Sequence, residues 1–141
     1  MTFMLNFTID CTPVGKGRPR FARMGNLVRT YNDKKTTDFE DIVRIQTLIA
    51  MGKSDPLETP VAVYLYFRLP IPQSYTKKRT EACLKGSERP KRPDIDNLAK
   101  SVLDGMNGVA FKDDSQIVSL HCTKTYAAEP GVDILVKEEL E

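Results

Sequence analysis

"PVAVYLYFRLP", Pro60 to Pro70, is the run on which the fold class turns. Val61, Val63, Leu65, Phe67 and Leu69 alternate along one face, and Ala62, Tyr64 and Tyr66 leave the other face largely apolar too. A strand that is apolar on both sides belongs inside a sheet, and the bounding prolines mark its ends. An interior strand needs neighbours, and the flanking sequence offers them. Residues 3–9 alternate Phe3, Leu5, Phe7 and Ile9 against Met4, Asn6 and Thr8, which reads as a half-buried strand. "SQIVSLHCTKTYA" puts Val118, Leu120 and Cys122 on one face, and "GVDILVKEE" alternates Val132, Ile134 and Val136.

Between the strands the period changes. Phe39, Ile42, Ile45 and Ile49 recur at helical spacing with Val43 and Leu48 beside them, after a capping-box pattern at Thr37 and Glu40. Gly52 supplies a stop, so a helix is predicted over 37–51. Leu98, Val102, Leu103 and Met106 predict a second helix from Asp96 that ends near Gly105–Gly108. The order β-α-β-α-β-β over 141 residues predicts one α+β domain spanning 1–141, a mixed sheet under two helices. Residues 11–35 and 70–93 are rich in Gly, Pro and basic residues and read as long loops, the second with a short helix near Lys77–Lys85. Loops this long in a compact domain are commonly functional.

Charge is segregated into those loops. Residues 11–35 and 73–92 together hold 14 of the 21 cations and 3 of the 19 acids, a local net of +11. The remainder holds 7 cations and 16 acids, a net of −9, so a total of +2 hides a footprint suited to a polyanion. Two solvated loops would look the same by composition. Cys11, Cys83 and Cys122 are odd in number and widely spaced, which argues against a disulfide framework or a zinc ribbon and fits a reduced, cytoplasmic compartment. A single histidine, His121, excludes a histidine-rich metal centre and reads as a strand-surface residue. No apolar run approaches the ~20 residues of a membrane span, and the N-terminus lacks the pattern of a signal peptide.

"RPDIDNLAK", Arg92 to Lys100, sets acids beside bases. The plain account is a helix start: Asp96 caps and Lys100 pairs with it four residues on. That explains one aspartate and leaves Asp94 on the far side of Ile95. A second pair, Asp113 and Asp114 in "FKDDSQI", stands where the next strand begins. If the connection over 108–116 folds back, three or four carboxylates converge on a lysine, a setting for a hard divalent cation. Other motifs fail. An EF-hand starting at Asp94 would need glycine and glutamate where Ala99 and Gly105 stand. "GKGRP" lacks phosphate-loop spacing, and "DID" follows "ERPKRP" instead of the apolar strand of an aspartyl phosphatase.

"RPDIDNLAKSVLDGMNGVAFKDDSQI", residues 92–117, together with "GKGRPRF" in the first loop, resembles the signature of RusA-type Holliday-junction resolvases, and the likeness in element order covers nearly the whole chain. The resemblance implies a Mg²⁺ nuclease site, with Mn²⁺ a possible substitute. In it Asp94, Asp96 and Asp114 would bind metal, Asp113 would stand at or just behind it, Lys100 would be the catalytic lysine and Asn97 would orient the helix start. It implies a homodimer that cuts four-way DNA junctions in recombination and repair, often prophage-encoded, with no membrane partner. The expected DNA contacts are Lys16, Arg18, Arg20 and Arg23 in the first loop and Lys77, Lys78, Arg79, Lys91 and Arg92 in the second, with Tyr75 a candidate stacking ring. Tyr64, Tyr66 and their strand surface are a candidate subunit contact, with helix 37–51 as a rival. The contrasting reading is a non-catalytic nucleic-acid-binding module whose aspartates only cap a helix.

Overall fold

A computed structural model describes residues 3–17, 20–31 and 33–140, except the side chains of residues 20 and 29–31. The Pro60–Pro70 run forms the central strand β4 (Val61–Pro70) of a four-stranded sheet. With β1 (Met4–Ile9), β5 (Ile117–Ala127) and β6 (Gly131–Glu138), the order across the sheet is β1-β6-β4-β5. β6 runs antiparallel to both β1 and β4, while β5 lies parallel to β4, so the sheet is mixed. Val61, Val63, Leu65, Phe67 and Leu69 are all buried, joined by Val132, Ile134 and Val136 of β6 and by Leu5 and Ile9 of β1.

Two helices cover that face, α1 (Lys34–Met51) and α3 (Ile95–Met106). α3 buries Leu98, Ala99, Val102 and Met106, as the sequence spacing predicts. α1 does not bury its isoleucines. Its inward stripe is Thr36, Phe39, Val43, Thr47 and Met51, whereas Ile42, Ile45, Leu48 and Ile49 are exposed. Two threonines on the inward side blur the hydrophobic period, and Thr47 satisfies its buried hydroxyl by donating to the Val43 carbonyl at 2.6 Å. The helix also starts earlier than the expected capping box, with Asp33 at the N-cap and Thr37 Oγ1 donating to the Asp33 carbonyl.

Gly105 explains how closely the two helices meet. A Cβ there would stand 2.7 Å from Val43 Cβ and 3.0 Å from the Glu40 carbonyl oxygen. α3 ends at Met106, within the expected Gly105–Gly108 stretch, and Gly105 is also a contact point in its last turn. Arg44 of α1 completes the junction by donating to the Asp104 and Asn107 carbonyls, both at 3.1 Å, which satisfies acceptors left free at the end of α3.

The two expected loops contain regular structure. The second holds α2 (Lys77–Lys85), capped by Thr76 Oγ1 accepting from Arg79 N at 3.2 Å and closed by Gly86 at φ 83°. The first is not a loop throughout. It carries a separate hairpin, β2 (Arg20–Met24) and β3 (Leu27–Tyr31), turning at Gly25 with φ 64°. Its apolar side chains Phe21, Met24, Leu27 and Val28 are all exposed, so it shows no buried face for a periodicity argument to find. Among the described residues three helices therefore accompany the sheet, α2 being the short helix expected near Lys77–Lys85.

Gly105→Ala is expected to cost about 1–3 kcal/mol, the usual range for forcing a methyl group into a filled contact. Urea denaturation checks this, and adding Val43→Ala should return part of the stability. An unchanged midpoint in Gly105→Ala would show that the helices can part at no cost.

Candidate active site

The start of α3 is held in place by the first loop. Lys16 N donates to the Asn97 carbonyl at 2.9 Å, and Ser101 Oγ donates to the Val14 carbonyl at 2.7 Å. Gly15 permits this approach, since a Cβ on it would fall 2.9 Å from Pro93 Cβ. The Lys16 ammonium turns inward between α1 and α3, 3.0 Å from Glu40 Oε1 and 2.5 Å from Asp104 Oδ2. Glu40 Oε1 has no aligned hydrogen bond, so that half of the arrangement is a charge contact. Burial disfavours the ammonium, but Asp104 and Glu40 outweigh it and hold the Lys16 pKa above the ordinary lysine value.

The second basic segment arrives from the other side. Lys124 of β5 donates to the Lys91 and Pro93 carbonyls at 2.8 and 2.9 Å, and Arg89 donates to the Lys124 carbonyl at 3.4 Å. The result is an open basin of about 490 Å³ lined by Gly15, Lys16, Gly17, Lys91, Arg92, Pro93, Asp94 and Asn97. The two cationic stretches, far apart in sequence, flank one pair of aspartates. Sequence reasoning missed Lys124, Glu40 and Asp104. The signal for Lys124 is a lysine in register with Cys122 and Tyr126 on the sheet face that carries the core.

Asp94 occupies the N-cap position of α3, yet its side chain makes no cap bond. Asp96 Oδ1 accepts from Asn97 N at 3.0 Å. Both are exposed at the positive end of the helix, where anionic groups are favoured. Lys100 does not pair with Asp96. Its ammonium stands 3.8 Å from Asp104 and is 62% exposed, which leaves it available on the helix side that carries Asp96. The plain helix-cap account thus fails in both of its contacts.

Asp113 and Asp114 are elsewhere. Asp113 caps a short 3₁₀ turn, Asp114–Gln116, accepting from Ser115 N at 3.2 Å, and hydrogen bonding from Ser115, chiefly its side chain and then its backbone N–H, draws the Asp113 pKa below the usual carboxylate range. Asp114 beside it is exposed, and its side chain makes no hydrogen bond or ion pair among the described residues. The turn is tied to the start of β4, where Gln116 Nε2 donates to the Leu57 and Thr59 carbonyls. α3 lies between the two pairs. Its 12 residues span about 18 Å. Among the described residues no group of three or more Asp, Glu, His or Cys side chains is placed to hold a metal ion. One chain therefore offers Asp94 and Asp96 together but not the fuller set that the fold-back would assemble.

Of the expected DNA contacts, Lys91 and Arg92 line the basin, and Lys77 and Lys78 are exposed on the first turn of α2. Arg23 is exposed on the hairpin. Arg79 is engaged, bonded to both Glu88 carboxylate oxygens and stacked 3.7 Å over the Tyr75 ring, which meets Tyr126 edge-on. Lys16 is committed to its ion pairs. Arg18 lies outside the described residues, as does the Arg20 side chain. His121 sits between Tyr64 and Tyr66 on the uncovered sheet face, ring centroids 5.9 and 6.0 Å away.

A scaffold that sets paired carboxylates at a helix start among convergent cations suits phosphodiester chemistry. Residues 10–137 match the family described as Endodeoxyribonuclease RusA. The chain is also 35% identical over 138 residues to the "Uncharacterized protein YqaN" of Bacillus subtilis (strain 168), covering 95% of this chain and 96% of that protein. The chain belongs to the RusA family of junction-resolving endodeoxyribonucleases. It is an enzyme, and the reading as a non-catalytic binding module gives way. Among the described residues no helix is long and apolar enough to cross a membrane.

Lys16→Met should lower stability by about 2 kcal/mol, short of the 3–5 kcal/mol of a fully buried broken pair. Because folding raises the Lys16 pKa, the pair's contribution is complete below about pH 10 and fades only as pH rises through the folded value. Denaturation at pH 7 and pH 11 checks both statements. An equal effect of the substitution at the two pH values would contradict the assignment.

Proposed function

We propose that the protein is a Mg²⁺-dependent, structure-selective endonuclease that resolves four-way DNA junctions by paired, symmetric nicks. It would act as a homodimer in recombination and repair. The observation that carries the reading is the shared basin, where Lys91, Arg92, Asp94 and Asn97 meet the first loop at one helix N-terminus. Cations on both sides draw in a backbone that the aspartates alone would repel.

In this reading Asp94 and Asp96 would hold the metal, with Mn²⁺ able to replace Mg²⁺, and Asp114, which one chain keeps apart from them, would join them only in the assembled homodimer, with Asp113 just behind it. Mg²⁺ keeps several waters and needs few carboxylates. When bound, it supplies Lewis-acid polarisation of the scissile phosphate and a more acidic water. The chain does the rest. Lys100, on the Asp96 side of α3, offsets charge that grows on the phosphate oxygens. Asn97 holds the first loop against the helix start through its carbonyl. Arg23, Lys77, Lys78, Lys91 and Arg92, with Arg18 and Arg20, neutralise neighbouring phosphates. Arg79 shapes the α2 surface through Glu88 and Tyr75.

Asp94→Asn, Asp96→Asn and Asp114→Asn should each abolish cleavage of a synthetic four-way junction while binding it at least as tightly as wild type. Normal cutting by all three would sink the assignment. Lys100→Ala should lower the rate at saturating DNA about 10²–10³-fold with little change in affinity. Neutralising Lys77, Lys78, Lys91 and Arg92 should flatten the log–log salt dependence of binding by about 0.9 for each phosphate left without its cation. An unchanged slope would turn that surface away from DNA.

A further inference from the structure

Beside the basin lies a second cavity of about 380 Å³, in the size range of small-molecule sites. It is lined by Tyr75, Tyr126 and the Arg79–Glu88 pair, and by three exposed cations, Arg89, Lys91 and Arg92. Lys91 and Arg92 line the basin as well, so the two spaces share a wall. The cavity is built in advance of any ligand. Glu88 accepts from Arg79 Nε at 2.9 Å and from Nη2 at 2.6 Å, which sets the guanidinium 3.7 Å over the Tyr75 ring. Tyr126 meets Tyr75 edge-on, with ring centroids 6.4 Å apart. The far wall is fixed by Lys124, which donates to the Lys91 and Pro93 carbonyls and accepts from Arg89 at its own. Groups held this way lose little freedom when something binds among them.

The lining selects a ligand that is flat and aromatic at one end and anionic at the other. Two rings and a guanidinium plane are the surfaces on which unstacked bases lie, and Arg89, Lys91 and Arg92 suit the phosphate attached to such a base. Glu88 is the one acid in the lining, and Arg79 already neutralises it. A base inside a duplex is paired and stacked on both faces, so it cannot enter. A base freed from its pair enters at least cost, and a branch point is where stacking is interrupted. We propose that this cavity takes one unpaired base of the bound strand, stacked among Tyr75, Tyr126 and the Arg79 guanidinium, with its phosphates on Lys91 and Arg92. Glu88 is a positioning residue that keeps Arg79 flat on Tyr75. Lys91 precedes Asp94 by three residues, so their Cα atoms are at most about 11 Å apart, roughly three steps of 3.4 Å along a DNA strand. The captured base therefore lies within about three nucleotides of the bond cut at Asp94 and Asp96. The cavity gives the enzyme a physical reason to prefer branched DNA, because intact duplex has no base to offer it.

The inference rests on the nuclease reading of Asp94 and Asp96, and a binding measurement made with chelator present separates the two. Synthetic four-way junctions carry, at each position near the branch point in turn, either a mismatched base or an abasic residue. Both lack a pair, so they differ only in the base offered to the protein. At one position the wild-type protein should bind the mismatched junction about tenfold more tightly than the abasic one, the size of effect expected from one base on an aromatic platform. Tyr75→Leu should erase that difference and Tyr75→Phe should keep it, a pattern that a merely structural role for the ring would not give. Equal affinity for the two substrates at every position would overturn the cavity, as would a difference that Tyr75→Leu leaves untouched. A readout that needs no variant places 5-iodouracil at the sensitive position of the mismatched junction. Irradiation should join it to the peptide carrying Tyr75 or the one carrying Tyr126, and attachment only elsewhere would overturn the inference. Cutting of the unmodified junction is read in parallel with Mg²⁺ added. Cutting without any base difference would remove the cavity and leave the nuclease reading intact, whereas a base difference without cutting would do the reverse.

Discussion

The Lys16 ammonium, set between Glu40 of α1 and Asp104 of α3, is the contact on which the site depends. It fastens a glycine-rich segment that has no strand or helix of its own at that point. Main-chain bonding from Lys16 to Asn97 and the Ser101 bond to Val14 extend the same fastening along α3. Without them the first basic stretch would have no fixed position relative to Asp94. A lysine that looks like a DNA contact by sequence is thus held inside the protein by Glu40 and Asp104.

The arrangement balances two opposed electrostatic demands. Carboxylates at a reacting phosphate repel the substrate they act on, and the cations that offset this must stand close without neutralising them. The fold meets both demands by tying cations to other partners. Lys16 is bound to Glu40 and Asp104, Arg79 to Glu88, and Lys124 to backbone carbonyls, so none of these collapses onto Asp94 or Asp96. Lys91 and Arg92 remain at the basin as the exposed charge.

Strand β4 and helix α3 were legible because their apolar periods coincide with their buried faces. α1 was legible as a helix but not in its orientation, since isoleucines dominate the pattern while Thr36, Phe39, Val43, Thr47 and Met51 are what the sheet and α3 receive. The β2–β3 hairpin buries none of its described apolar side chains and so left no periodic trace. The Asp94–Asp96 pair could be located from spacing and resemblance alone. Its relation to Asp113 and Asp114 could not, because it depends on the direction in which α3 crosses the sheet, and that is a tertiary fact. The ion pairs of Lys16 were hidden for a similar reason, since its partners are 24 and 88 residues away in sequence.

The central claim is that this surface cuts branched DNA by a divalent-metal reaction. Its most direct test incubates the wild-type protein with an end-labelled four-way junction and a linear duplex of matched sequence, with Mg²⁺ and with chelator. The expected result is paired nicks at symmetry-related positions in the junction, none in the duplex, and none in either when metal is withheld. Equal cutting of duplex and junction, or cutting that survives the chelator, would contradict the account.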